Sequence, residues 1–310
     1  MSQNLINVKK ISVTGGKGGT GKTLIAVNLA VYYAKLGYKV LLIDSDVENP
    51  NSNILLGKAL TDSDVERTHI DMFVPKFSPD KCIKCGKCRD ACYRHAILQF
   101  PDQFPSLMEP MCSGCTICKR VCPTDAISSG KRSIGSRFFM KNVHNNLDLL
   151  IGELNPGEAI SVLIVENLIE QTYELQRKNN YDIIITDTAP GAHCDVEKAL
   201  SLADLTLCVT EPTPFGEHDL KRILRLIQLS GQNAQIILNR STLTDYKEPI
   251  LQVASDFNIK ILGEIPIDNI VIEDYAKGIP FVLDSREFPA KQAFLSILAN
   301  VKKIMALESV

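Results

Sequence analysis

The sequence predicts an α/β protein, a parallel sheet flanked by helices, interrupted by a small cysteine-rich α+β insert. Three observations carry this expectation. Short apolar runs alternate with amphipathic stretches over most of the chain, the pattern of strands buried on both faces and covered by helices. A glycine-rich loop separates the first strand signal from the first helix signal. Eight of the 10 cysteines fall between Cys82 and Cys122 at repeated spacings.

In chain order, residues 10–14 form a β-rich run, and apolar residues then recur at helical spacing from Thr20 to Leu36 (Leu24, Ile25, Val27, Leu29, Val31). Gly37 supplies a helix stop. Wholly apolar strand signals follow at Val40–Ile43, Ile183–Ile185, Leu205–Val209 and Ile236–Leu238, with a further strand at Ile261–Ile265. The alternation breaks between about residues 49 and 157, where the cysteines and a basic, glycine-containing run at 130–137 occur. Within it Cys82–Ile97 and Cys112–Ile127 repeat one cysteine spacing and each ends in Ala-Ile, an internal duplication. The expected organisation is a host domain in two parts, 1–75 and 131–310, around an insert at 76–130.

The 310 residues suffice for one large α/β domain plus the insert. The net charge of -2 gives no reason to expect nucleic acid as a partner. No apolar signal core precedes Lys9, and no run approaches the roughly 18 apolar residues of a membrane span. A cytoplasmic location is therefore expected, where clustered thiols are metal ligands rather than disulfides.

Gly16-Lys17-Gly18-Gly19-Thr20-Gly21-Lys22-Thr23 fits G-x-x-x-x-G-K-[ST] between a strand and a helix. Such a loop curls backbone N–H groups around phosphates at a helix N-terminus. Lys22 would reach the β- and γ-phosphates of ATP or ADP, and the Thr23 hydroxyl would ligate Mg2+. The second lysine, Lys17, makes the motif similar to the deviant Walker A loop of the MinD/ParA/Mrp family of P-loop NTPases, which includes the nitrogenase iron protein. That resemblance implies a nucleotide sandwiched in a dimer, with Lys17 reaching across it. It further implies that Asp44-Ser45-Asp46 is switch I, Asp46 orienting the attacking water and Asp44 supporting the metal shell. Asp187-Thr188-Ala189-Pro190-Gly191 resembles switch II, where Asp187 would hold Mg2+ through water and Gly191 would offer its backbone to the γ-phosphate. Asn239 resembles the family's adenine-contacting residue. The catalytic candidates are thus Lys17, Lys22 and Asp46.

Cys82-x-x-Cys85-x-x-Cys88-x-x-x-Cys92 and Cys112-x-x-Cys115-x-x-Cys118-x-x-x-Cys122-Pro123 match the bacterial ferredoxin run, in which the fourth cysteine of each motif serves the other cluster. Two 4Fe-4S clusters are expected, one on Cys82, Cys85, Cys88 and Cys122, the other on Cys112, Cys115, Cys118 and Cys92. Tyr93 stands where the first motif would carry proline. Cys194, after the switch II residues, is either a thiol for a transferred or dimer-shared metal or a small packed side chain, and Cys208 belongs to a core strand. The amphipathic stretch at 290–307 is expected to pack on the sheet rather than anchor a membrane.

The chain as a whole resembles MinD-type ATPases carrying an inserted ferredoxin domain. The resemblance implies an ATP-dependent homodimer, or a heterodimer with a paralogue, that acts on a metalloprotein client or redox partner. Three readings stay open: an ATP-gated electron donor, a metal or iron–sulfur assembly carrier, and a spatial regulator with redox-sensing clusters. Because the insert lies between the two switch segments, nucleotide state and cluster surface are expected to be coupled.

Overall fold

The protein is described by a computed structural model over residues 8–201 and 203–307. The segment before Lys9 that was read for a signal core lies almost wholly outside these residues. The elements in order are β1 (Lys9–Thr14), α1 (Lys22–Lys35), β2 (Val40–Ser45), α2 (Ser52–Leu55), β3 (Glu66–Phe77), α3 (Lys87–Asp90), β4 (Ile97–Leu98), β5 (Ser106–Leu107) and α4 (Ile117–Arg120). They continue with β6 (Ile127–His144), β7 (Leu147–Leu154), α5 (Ser161–Asn179), β8 (Ile183–Thr188), α6 (Cys194–Leu200), β9 (Leu205–Thr210) and α7 (Pro214–Leu229). The last are β10 (Ala234–Asn239), α8 (Glu248–Asp256), β11 (Ile261–Ile265), α9 (Asn269–Ala276) and α10 (Pro289–Ile304).

One sheet of nine strands, ordered β11-β10-β9-β1-β8-β2-β7-β6-β3, organises the molecule. From β11 to β7 every neighbouring pair is parallel, and β6 and β3 then extend the edge antiparallel. The sheet is thus mixed rather than purely parallel. β7 is a buried parallel strand inside the stretch where the sequence pattern had seemed to stop. The basic run at 130–137 is ribbon rather than loop, because β6 pairs with β3 along its whole first half.

The strands are apolar on both faces because helices cover both. One core layer packs α1 and α10 against the sheet through Ile25, Leu29, Phe294 and Leu298, and the other packs α5 through Ile164 and Leu168. The α1 stop is a Schellman turn: Gly37 has φ +100°, its N–H donates to Ala34, and the Tyr38 N–H donates to Tyr33. The Tyr33 and Tyr38 rings meet edge to face at 5.8 Å across that turn. Phe294, Ile297, Leu298 and Val301 bury the inner face of α10, so the C-terminal helix is a sheet-packing element.

The β3–β6 ribbon positions the cysteines. β6 leaves β7 at Gly135, opposite Leu154, and stays paired with β3 down to Ile127 opposite Phe77. Those eight residues carry the ribbon roughly 26 Å past the sheet at about 3.3 Å per residue. They project from the C-terminal ends of the parallel strands, the end on which the loop after β1 also lies. Residues 78–126 form a lobe on the ribbon tip, so the expected boundaries at 75/76 and 130/131 fall inside two strands that run on without interruption.

Candidate functional site: a phosphate loop and two cysteine cavities

The loop after β1 is shaped by close backbone approach. A Cβ on Gly15 would press on the Val209 carbonyl at 2.6 Å, and one on Gly21 would collide with the Asn239 amide. Gly19 and Gly21 take φ of +80° and +97°, a left-handed conformation that costs glycine little. Asn239 Nδ2 donates to the Thr20 carbonyl at 2.8 Å, tying the end of β10 to the phosphate loop. The same side chain, which is expected to meet the base, also lines the cleft.

Lys22 is buried, and its ammonium donates to the Lys17 carbonyl at 3.2 Å. Burial lowers its pKa, while Asp187 and Asp46 oppose that shift. Asp187, at the end of β8, is wholly buried, and neither carboxylate oxygen has a hydrogen-bond partner within the protein. Burial and the neighbouring Asp44 carboxylate push its pKa well up, against the Thr23 hydroxyl and Lys22. Two orphaned carboxylate oxygens beside a threonine hydroxyl form a hard-oxygen donor set suited to a hydrated Mg2+. Thr23 and Asp187 would hold the ion through that set, and the ion would neutralise phosphate charge.

Asp44 is also wholly buried, but both of its oxygens are taken: Oδ1 accepts the Asp46 N–H, and Oδ2 the N–H groups of Asn51 and Ser52 at 3.0 and 2.9 Å. These bonds fold the loop after β2 around its carboxylate. Asp46 is held at the cleft wall, where burial, with Asp44 next in weight, raises its pKa to about 6. The Gly191 N–H donates to Gly15 O at 3.1 Å, joining the loop after β8 to the phosphate loop.

Lys17 is turned away from Lys22 toward Glu211. Its ammonium meets one Glu211 oxygen at 2.9 Å while Arg240 meets the other at 3.0 Å. Burial works against that carboxylate's charge, but the two cations hold its pKa below the usual range. Glu211 escaped the sequence reading, since an acid after a strand has no spacing that marks it as a partner of Lys17. The cleft between these groups has an empty volume of about 1880 Å³, mouth included. Gly18, Gly19, Lys22 and Thr23 line one end of it, and Leu243, Ile267, Val271, Ile272 and Tyr275 the other. A polar, cationic end and an apolar end suit a phosphate and a flat base respectively. The apolar end comes from loops after β10 and β11 and from α9, none of which carries a motif.

The lobe repeats in structure as it does in sequence. Left-handed residues recur thirty positions apart at Lys84 and Gly114, Gly86 and Thr116, and His95 and Asp125, and helices α3 and α4 keep the same offset. The Ala96 N–H donates to Cys92 Sγ at 3.3 Å, and the Ala126 N–H to Cys122 Sγ at 3.2 Å. Cys82, Cys85, Cys88 and Cys122 line one cavity, and Cys92, Cys112, Cys115 and Cys118 line a second. Their empty volumes are alike, about 340 and 330 Å³ with their mouths. Among the described residues no three His, Cys, Asp or Glu side chains converge on a single ion. A cube held by one thiolate per iron calls for a different arrangement, four sulfurs spread around a void, and the residues present fit that demand. Burial pushes the Cys118 thiol up to about 11, so the proton stays until a cation displaces it. Cys194, the first residue of α6, is exposed, and Cys208 is a wholly buried thiol of β9.

Among the described residues no helix is long and apolar enough to cross a membrane. Comparison with known proteins adds relatives. The uncharacterized protein MJ0579 of Methanocaldococcus jannaschii is 36% identical over 272 residues, covering 88% of this chain and 91% of its own length. A second protein of that organism, MJ0578, is 29% identical over 84% of this chain and 85% of its own length. The iron-sulfur cluster carrier protein of Aquifex aeolicus is 28% identical over 95% of this chain and 67% of its own. In fold, the chain is similar to the Pyrococcus horikoshii septum site-determining protein MinD complexed with Mg-ADP, with a TM-score of 0.60, 21% identity and coverage of 96% and 97%. The family described as CbiA, the CobQ/CobB/MinD/ParA nucleotide binding domain, matches residues 11–281, and the chain belongs to that family.

Proposed function

We propose that the protein is an ATP-binding and ATP-hydrolysing iron–sulfur protein, in which a nucleotide-switched dimer is coupled to electron transfer through two 4Fe-4S clusters. Its client is a partner metalloprotein to be matured or reduced. The observation that carries this reading is the sorting of eight thiols into two matched cavities, four each, on the same end of the sheet as the phosphate loop. When bound, the cubes would supply one-electron chemistry. The chain's part is to hold them with the two thiol quartets and to direct backbone N–H groups at Cys92 and Cys122. At the other site Lys22 binds phosphate, Thr23 and Asp187 hold Mg2+, and Asp46 orients water. Lys17 is released from Glu211 when a second copy or a paralogue closes over the nucleotide.

A second reading, a carrier that gives its clusters away, is favoured by the name of the Aquifex relative. Anaerobic turnover with an acceptor protein separates the two. In the electron-donor reading, cluster oxidation keeps step with ATP hydrolysis and iron stays on the chain. Iron leaving with the acceptor instead would establish the carrier. The two sites are also separable: Lys22→Ala abolishes nucleotide binding and leaves cluster absorbance, whereas Cys85→Ser removes absorbance and leaves nucleotide binding. Loss of both properties in either variant would end the proposal of two distinct sites.

A further inference from the structure

The two cysteine cavities, alike in volume, differ in what surrounds them. Between residues 79 and 97 stand Lys81, Lys84, Lys87, Arg89 and Arg94 against Asp80 and Asp90. In the equivalent window 109–127, Lys119 and Arg120 are balanced by Glu109 and Asp125. The first motif is therefore a cationic patch on a chain whose net charge is -2. At its cavity the wall includes Ile83, which is 63% exposed, and Lys87, and Cys85 is itself exposed. Lys84 lies 4.7 Å from the ring centroid of Phe104, which is 45% exposed and precedes the cavity-lining Pro105. Phe100 nearby is 66% exposed. The second cavity lies nearer the sheet along β3, although its Cys115 is also exposed and its Ile117 is 37% exposed. Phe73 and Pro75 of β3 line it, no charged side chain does, and a Cβ on its Gly114 would lie 3.4 Å from the Phe73 carbonyl.

We propose that the mouth of the first cysteine cavity is the docking face for an acidic one-electron carrier protein, and that the second cavity is the inner station. This rests on the reading that the quartets hold clusters. Apolar side chains set among an excess of positive charge, five cations against Asp80 and Asp90, form a surface for a partner of opposite sign. The charges speed encounter, and the apolar contact excludes water once docked. Holding Lys84 against Phe104 keeps one cation beside the apolar spot. Cys82, Cys85, Cys88 and Cys122 would hold the receiving cube, which would take up the one electron that the carrier's reduced centre gives up. No bond or proton moves.

The test uses the full chain with its clusters, under anaerobic conditions, and an acidic plant-type 2Fe-2S ferredoxin as probe. Calorimetry with the oxidised probe measures docking without electron flow, and stopped-flow absorbance with the reduced probe measures transfer. Raising ionic strength from about 0.01 to 0.15 M shortens the Debye length from about 30 to 8 Å, and both affinity and bimolecular rate should fall by about tenfold or more. Lys84→Glu with Lys87→Glu should weaken both by a similar factor, while Lys119→Glu with Arg120→Glu leaves them near wild type. Every variant should keep cluster absorbance and bleach with dithionite. Equal loss in the two double variants, affinity without salt dependence, or binding to anionic lipid vesicles in place of the probe would overturn the docking face. Failure of the wild-type chain to show cluster absorbance at all would instead overturn the cluster reading beneath it.

Discussion

The nucleotide end and the cysteine lobe are held together in different ways. Around the phosphate loop the neighbours are central sheet strands and the helices that pack on them, and hydrogen bonds come from distant segments: the Gly191 N–H to Gly15 and the Asn239 side chain to Thr20. In the lobe the buried apolar cluster among the described residues is Ile97, Cys118 and Ile127, with cysteines making up much of the shell around it. A core that small gives little burial energy against the entropy of ordering about fifty residues. The first region thus has its geometry before any ligand arrives. On the proposal that the two quartets hold clusters, the second needs its thiols bridged, as small metal-dependent domains do.

The widest gap between the regions should open on removing the clusters. Stripping iron with a chelator under mild oxidation should raise amide exchange across 78–126 by more than about a hundredfold, with β1, β8 and β9 unchanged. Uniform exchange in both regions would show that the lobe holds itself together. A smaller effect is expected at Asp46. With a folded pKa of about 6 against an ordinary 3.8, its carboxylate is protonated more readily in the folded chain. The destabilisation from its buried charge is fully present above pH 6 and is relieved as pH falls toward 4. On the proposed role of Asp46 in orienting water, hydrolysis needs the charged form, so kcat/KM should fall about tenfold per unit below pH 6, and Asp46→Asn should remove that limb along with most activity. A profile flat down to pH 5 would exclude Asp46 from the rate. The smallest effect tests the packed side alone. The Tyr33 hydroxyl donates to the buried Leu298 carbonyl at 3.1 Å, and Tyr33→Phe should cost about 1 kcal/mol in thermal unfolding, without altering exchange in the lobe.

How much of this could be read from sequence follows the same division. The phosphate loop, the strands at 40–43, 183–185, 205–209, 236–238 and 261–265, and the cysteine spacing were legible because each is a local pattern. The ribbon was not. β3 begins Glu-Arg-Thr-His-Ile-Asp-Met-Phe, half polar, because one of its faces meets solvent, and β6 opens on Ile-Ser-Ser-Gly-Lys-Arg-Ser. β7 was hidden for a different reason, being a buried strand set directly after two polar neighbours of the insert. Asp44 shows what a motif leaves out: the position resembles a switch residue, and only the structure shows that its oxygens also accept three N–H groups of its own loop. Glu211 and Arg240 meet only in space, and no rule of spacing joins them.

The lobe's two ends touch, since the Ser78 N–H donates to the Ala126 carbonyl at 2.8 Å, closing the ribbon as the last rung of a ladder. A segment that leaves and returns through adjacent rungs asks nothing of the strands below it. Replacing 79–125 by a two-residue turn would leave an ordinary hairpin, and any other hairpin of matching register could receive the excised piece. The join spans a single interstrand spacing of about 4.8 Å, so the sheet need not be redesigned around it.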